Sequence, residues 1–213
     1  MPLQNRVAPD GTIFTTPERG LLMGNRGGQM HDGDKRLTGR RWVSRQWISC
    51  VLQYKDRHEA IMAPGRYTQL FFLDEATALA AGHRPCALCR RDDFLLFMEF
   101  WQALNGLPER PKVADVDGRL QDERIGDDRG KRTYVSPLAK LPTGTMIALE
   151  SGSKLVCDGK LLPWTPAGYG APEQAPPQSV VRVLTPPSIV AILAAGYVPL
   201  LHPSARSMSA TRS

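Results

Sequence analysis

The sequence has no apolar run approaching the ~18 residues needed to cross a bilayer, so no membrane-spanning helix and no membrane partner are expected. The opening residues, MPLQNRVAPDG, lack the apolar core of a secretory signal, which makes a cytoplasmic location the default expectation. Cysteine is scarce. Cys50, Cys86, Cys89 and Cys157 are too few and too widely spread in 213 residues for a secreted disulfide framework. No second CxxC accompanies Cys86 and Cys89, so the remaining ligands of a metal site must come from a limited supply, Cys50, Cys157, the four histidines and the carboxylates.

What the chain does contain is enough for a core without metal staples: 42% hydrophobic and 23% charged residues, ordinary values for a globular protein. Lys and Arg number 27 against 21 Asp and Glu, a net charge of +6, which favours a polyanionic partner such as nucleic acid. The charge is concentrated in KRLTGRRWVSR, residues 35–45, with Arg26 before it and a second set at Arg129 to Arg132. Arg36, Arg40, Arg41 and Arg45 are interleaved with Trp42 and Trp47, a mixture suited to phosphate pairing and base stacking and therefore a candidate nucleic-acid surface. The same residues would equally serve as a charged strand edge that discourages aggregation.

The pattern predicts an α+β protein in two parts. Residues 1–106 form the first, in which residues 1 to about 40 read as Gly-rich loop and 41–54, 59–62 and 68–73 as strands of a small antiparallel sheet. Asp74 caps a short Ala-rich helix that stops at Gly82, and a longer helix starts near Arg91, with Phe94, Phe97, Met98, Trp101 and Leu104 on one face. Residues 107–132, polar and nearly free of apolar period, read as a linker or insertion. Residues 133–203 read as a β-rich module with strands at 145–149, 154–162 and 179–184, the middle one turning at Asp158-Gly159. A last helix capped by Thr185 ends the module, and 204–213 are a tail. The phrase L-A-A-G-x-x-P occurs at residues 79–85 and 193–199, which reads as one helix-stop grammar used twice.

The chemistry centres on ALAAGHRPCALCRRDDF, residues 78–94, where a helix stop and a proline-led turn aim two thiolates at one point just before a helix N-terminus. A thioredoxin-like redox pair would instead follow a strand in a βαβ setting, and two inert buried thiols are the plain alternative. Cys50 and the histidines His31, His58 and His83 are the candidate further ligands. His58 with the downstream P-C-x-x-C also approaches the zinc-deaminase signature, although Glu59 directly follows the histidine where that signature wants H-x-E.

Residues 68–92, with FFLDEATALAAGHRPCALC, resemble the second half of the zinc-binding domain of the Ada family, which repairs DNA methyl phosphotriesters. In that family four cysteines hold the zinc and one of the first pair accepts the methyl group. The resemblance implies zinc as cofactor and a ligand role for Cys86 and Cys89. The family's first pair, a CxxxC, has no counterpart here. Cys50 is therefore the implied third ligand and His58 the candidate fourth, with His31 and His83 open beside it. The function expected is a zinc-binding, nucleic-acid-binding protein with a DNA-repair or regulatory role; a metal-dependent hydrolase or deaminase-like enzyme acting on nucleotides or nucleic acid and a structural-zinc interaction module are the alternatives.

Other stretches carry weaker signals. GNRGG, residues 24–28, offers backbone N–H groups to a phosphate but lacks the Lys-Ser/Thr of a P-loop. Asn25, Arg26 and His31 are a candidate catalytic loop, Trp164 and Tyr169 either a recognition surface or loop anchors, and His202 and Cys157 packing residues.

Overall fold

The computed structural model describes residues 1–55, 60–174 and 179–207. Two mostly antiparallel six-stranded sheets and five helices make up the α+β fold. The first sheet contains β1 (Gln4–Val7), β2 (Ile13–Thr15), β3 (Leu22–Arg26), β4 (Trp47–Val51), β5 (Leu70–Phe72) and, after helix α1 (Glu75–Ala80), the two-residue β6 (Arg84–Pro85). Its order is β2-β1-β5-β3-β4-β6. Helices α2 (Arg91–Leu104) and α3 (Val113–Arg124) lead to the second sheet, made of β7 (Tyr134–Pro137), β8 (Met146–Leu149), β9 (Gly152–Cys157), β10 (Lys160–Thr165), β11 (Gly168–Tyr169) and β12 (Val180–Val183). Its order is β11-β10-β9-β8-β12-β7, and α4 (Pro187–Ala194) and α5 (Pro203–Ser207) follow. Among the described residues no helix is long and apolar enough to cross a membrane.

The helix around which the site is hung forms as its sequence dictates. Asp74 Oδ1 accepts from the Thr77 N–H at 2.9 Å, capping α1, and Gly82 stops it at φ +90°. The Gly82 N–H then bonds Leu79 O and the His83 N–H bonds Ala78 O, the paired bonds of a Schellman stop. The second L-A-A-G does the same, with Gly196 bonding Leu193 O and Tyr197 bonding Ile192 O. The repeated phrase is thus a repeated C-terminal stop.

Several expected features differ. Residues 1–40 hold three strands rather than loop alone. They lack a visible period because the inward positions of β3 are Leu22, Gly24 and Arg26, only one of them apolar. The strand expected at 59–62 is absent from 60–62, which form a turn, and Glu59 lies outside the described residues. Inside the expected linker, α3 docks through charge: Asp117 makes a two-pronged ion pair with Arg84 at 2.8 and 2.9 Å, and Arg124 is fully buried. An apolar-period reading has no means of seeing such a helix, whose fully buried apolar side chains are Val116 and Leu120. Thr185 does not cap α4; its Oγ1 accepts from the Met146 N–H, and Glu123 of α3 caps instead by accepting from the Ser188 N–H and hydroxyl.

Two adjacent buried carboxylates join the two halves of the chain. Asp74 Oδ2 accepts from the Tyr169 hydroxyl at 2.8 Å and from the His202 N–H, and burial pushes the Asp74 carboxyl up. Glu75 accepts from the Tyr197 hydroxyl and the Leu200 N–H and pairs with Arg90 at 2.7 Å. Trp164 adds a bond from its indole N–H to Thr77 Oγ1, so Trp164 and Tyr169 are anchors between the halves. Cys157 packs in the apolar cluster of the second sheet, and His202 shares a 2.8 Å bond with Ser204.

Candidate metal centre

The parallel pairing of β4 with β6 sets the site. Ile48 lies opposite Arg84 and Ser49 opposite Pro85, and the Cys86 N–H continues the ladder to Ser49 O at 2.9 Å. One step further along both chains, Cys50 and Cys86 become neighbours. The turn at residues 87–89 then brings Cys89 round in front of α2. The three sulfurs lie within 4.8 Å of one another, close enough to hold a metal ion. Three thiolates on one tetrahedral zinc stand about 3.8 Å apart, given Zn–S bonds near 2.3 Å, so a small closure of the cluster suffices.

The electrostatics of the thiols are those of a shared-proton cluster. The Cys86 thiol is held low by hydrogen bonds from Cys50 and Cys89 and by backbone N–H groups aimed at its sulfur, including Leu88 N at 3.4 Å. Cys50, the donor to Cys86 and Cys89 and itself largely buried, is pushed far up. A cation that replaces these protons relieves the burial of three sulfurs at once. Arg90 buttresses the turn from behind, donating to Ser49 Oγ at 2.9 Å and to Asp93 at 2.8 Å while pairing with Glu75.

The three cysteines also form part of the wall of a pocket of about 280 Å³ on the outer face of the first sheet. Arg19, Asn25, Tyr54, Tyr67 and Phe71 line it with them. It is near the lower limit of size for small-ligand sites and, like them, mixes aromatic walls with a few polar groups. Sequence reasoning missed this pocket, because its lining comes from six separated stretches. The one available signal was alternation: Met23 and Asn25 of β3 and Ile48 and Cys50 of β4 share the face opposite the core.

Comparison with protein-family models, curated proteins and solved structures found no match. The site therefore stands on its geometry.

Other candidates fall apart from this centre. His31 is buried with its Nδ1 2.8 Å from Thr68 Oγ1 and its Nε2 3.2 Å from Ala63 O, so both ring nitrogens are engaged away from the cysteines. His83 is buried between Phe72 and Trp47, and burial beside Arg26 and Arg124 holds its pKa well below the usual value. His58, the candidate fourth ligand, lies with Glu59 outside the described residues. Asn25, Arg26 and His31 do not converge: Asn25 faces the pocket, Arg26 the core and His31 the Thr68 segment. The glycines of GNRGG serve packing. A Cβ on Gly27 would stand 1.8 Å from Ser44 Oγ, and one on Gly28 would stand 2.8 Å from Val43.

Arg36, Arg40, Arg41 and Arg45 are exposed on an irregular loop with Trp42 half-buried among them. The loop meets the second basic stretch: Arg41 Nη1 donates to Arg129 O at 2.8 Å, and the Arg129 guanidinium stands 5.3 Å from the Trp42 ring centre.

Proposed function

We propose that this is a zinc protein that binds nucleic acid, with Cys50, Cys86 and Cys89 as zinc ligands and the Arg36 to Arg45 loop meeting phosphate. The observation that carries the zinc reading is the convergence of three sulfurs from two separate chain segments on one point. Soft thiolate donors select zinc over the hard cations that prefer oxygen. The Ada-like stretch at 68–92 supports the same assignment, and His58 is the proposed fourth ligand. Support for the nucleic-acid part comes from the net charge of +6 and from the joining of both basic stretches around Trp42.

A second reading, a zinc-dependent enzyme, is favoured by one specific observation: all three cysteines line the 280 Å³ pocket. Structural zinc is closed by four protein ligands, whereas catalytic zinc keeps one position for a ligand. A bound zinc would supply Lewis acidity at the pocket wall. This chain's part is to present Asn25, Tyr54 and Tyr67 to whatever enters and Phe71 as an apolar surface.

Metal analysis of purified wild type, Cys50→Ser and His58→Ala decides among these. One zinc per chain, lost in Cys50→Ser, is the expected result; a metal-free wild type overturns the zinc assignment. Loss in His58→Ala as well indicates a closed site, and retention an open one. For the nucleic-acid part, affinity for a single-stranded oligonucleotide should fall steeply with salt and on reversing Arg40 and Arg41 to Glu. Affinity indifferent to both overturns it.

A further inference from the structure

A second polar site lies on the core side of the first sheet, away from the cysteines. Arg26, Arg41, Arg124 and Lys131 line one depression, with Asp10 as its only carboxylate. Asp10 is exposed, and its Oδ1 accepts from the Thr12 N–H. Among the described residues none of the four cations forms an ion pair. Arg26 and Arg124 are 2% and 0% exposed, which makes the arrangement costly, because buried guanidinium groups are normally matched by an anion.

Their neighbours are carbonyls and rings. Arg26 donates to Gly11 O at 2.9 Å and Arg41 O at 3.3 Å, and Arg124 to Gly82 O at 2.7 Å and Arg45 O at 2.6 Å. Both guanidinium carbons stand about one ring thickness from Trp47, at 4.2 and 4.0 Å from its centre. Arg26 uses three of its five N–H donors, counting a long contact to His83 Nε2, and Lys131 one of its three, on Ala80 O. Arg41 uses one of its five, on Arg129 O, so donors remain on at least three of these cations, beside the frame of Trp47 and the surrounding carbonyls. His83, packed on Trp47 and in contact with Arg26, has a buried Nδ1 without a partner among the described residues.

We propose that this depression is a phosphate-binding site. Its space of about 10 Å³ is half open and matches the lower limit for a single oxygen. The rest of the phosphate stays at the mouth, where the exposed Arg41 closes over it. A phosphate neutralises at least one charge of the cluster and accepts the unused donors, each bond charge-assisted. The two basic stretches of the sequence then have one purpose in common, Arg41 arriving from the first and Lys131 from the second. The source of the phosphate, a nucleic-acid end or backbone as against free phosphate, rests on the nucleic-acid part of the proposed function; the site itself does not.

The test uses the full-length, zinc-loaded protein, with calorimetry and thermal melting in inorganic phosphate against chloride of equal ionic strength. A second arm compares a single-stranded oligonucleotide with and without a 5′-phosphate. Arg41→Ala changes the exposed residue at the mouth and Lys131→Met the buried ammonium in the lining; both spare the two buried arginines, and metal content is measured in each. The expected result is a phosphate-specific rise in Tm together with a loss of at least tenfold in phosphate affinity in both variants at unchanged zinc content. Preference for the 5′-phosphorylated strand, lost in the same variants, identifies the nucleic acid as the source; binding of inorganic phosphate alone identifies free phosphate. No response to either probe, or binding unchanged in both variants, overturns the site. Oligonucleotide binding that ignores the 5′-phosphate and both substitutions leaves the nucleic-acid reading standing without it.

Discussion

Arg90 donates through Nη1 to Ser49 Oγ at 2.9 Å and so ties the residue after Cys89 to the residue before Cys50. Ser49 is fully buried, and its hydroxyl in turn donates to Arg84 O. One hydroxyl thus fixes the relative position of the two chain segments that supply the sulfurs. Ser49→Ala removes it without adding bulk and leaves a buried Arg90 N–H unmatched. A cost of about 1–3 kcal/mol in stability is expected, with affinity for the proposed zinc reduced by about 10- to 100-fold, as is typical of groups that orient metal ligands. Chelator competition on Ser49→Ala checks it; wild-type affinity would show that the turn holds its own shape.

The two helix stops, alike in hydrogen bonding, should differ in tolerance. Gly82 and Gly196 both have positive φ, +90° and +113°, so Ala at either position meets backbone strain of about 1–2 kcal/mol. At Gly82 a Cβ would also stand 2.5 Å from Arg124 Cδ, while at Gly196 the nearest atom is Phe100 Cζ at 3.9 Å. Gly82→Ala must push a fully buried arginine off Trp47 and is expected to cost clearly more than Gly196→Ala. Chemical denaturation of both variants compares them, and equal losses would show that Arg124 relaxes freely.

Much of this was legible in the sequence, for reasons that divide cleanly. Asp74, Gly82 and the Cys86–Cys89 turn act through neighbours a few residues away, so the cap, the stop and the thiol pair could be read locally. Cys50 could be nominated by scarcity and by its place on an expected strand near the turn, but its position beside Cys86 depends on a two-residue parallel bridge that no pattern announces. The helix at Val113–Arg124 was hidden because Asp117, Glu123 and Arg124 bury charge where periodicity looks for apolar side chains. The pocket and the cation cluster were hidden for a third reason, since each is assembled from residues far apart in the chain.

Metal removal should loosen the site without unfolding the protein. The principal apolar clusters gather Phe97, Trp101 and Ile192 between the helices, and Leu155 and Leu162 on the second sheet, none of them built on the three cysteines. A chelator is therefore expected to lower Tm by several degrees, as loss of a ligand bound to the folded state requires, while leaving a cooperative transition. Far-ultraviolet circular dichroism and calorimetry of the metal-free protein measure this. Collapse to an unfolded chain would mean that zinc organises the fold itself.

Lys131 gives the cation cluster a pH signature. Burial, with Arg124 and Arg26 facing it and Asp10 the one opposing charge, pushes its pKa from the ordinary lysine value of 10.5 down to about 7. The unfolded chain keeps this proton up to the higher value, whereas the folded chain releases it near the lower one. Between about pH 7 and pH 10 the unfolded state therefore binds more protons, and the free energy of unfolding rises with pH, by at most about 1.4 kcal/mol per pH unit. This contribution is lost again as pH falls through the folded value. Lys131→Met has no such proton, so the difference in stability between wild type and variant should grow in favour of wild type across the window. Zinc-loaded protein is used for both so that the cysteines, already deprotonated, contribute equally. Denaturation at several pH values follows the difference, and two parallel curves would show that Lys131 keeps its charge when folded. Phosphate at its proposed site opposes the release of that proton, so saturating phosphate is expected to delay the rise in wild type and to leave Lys131→Met unchanged.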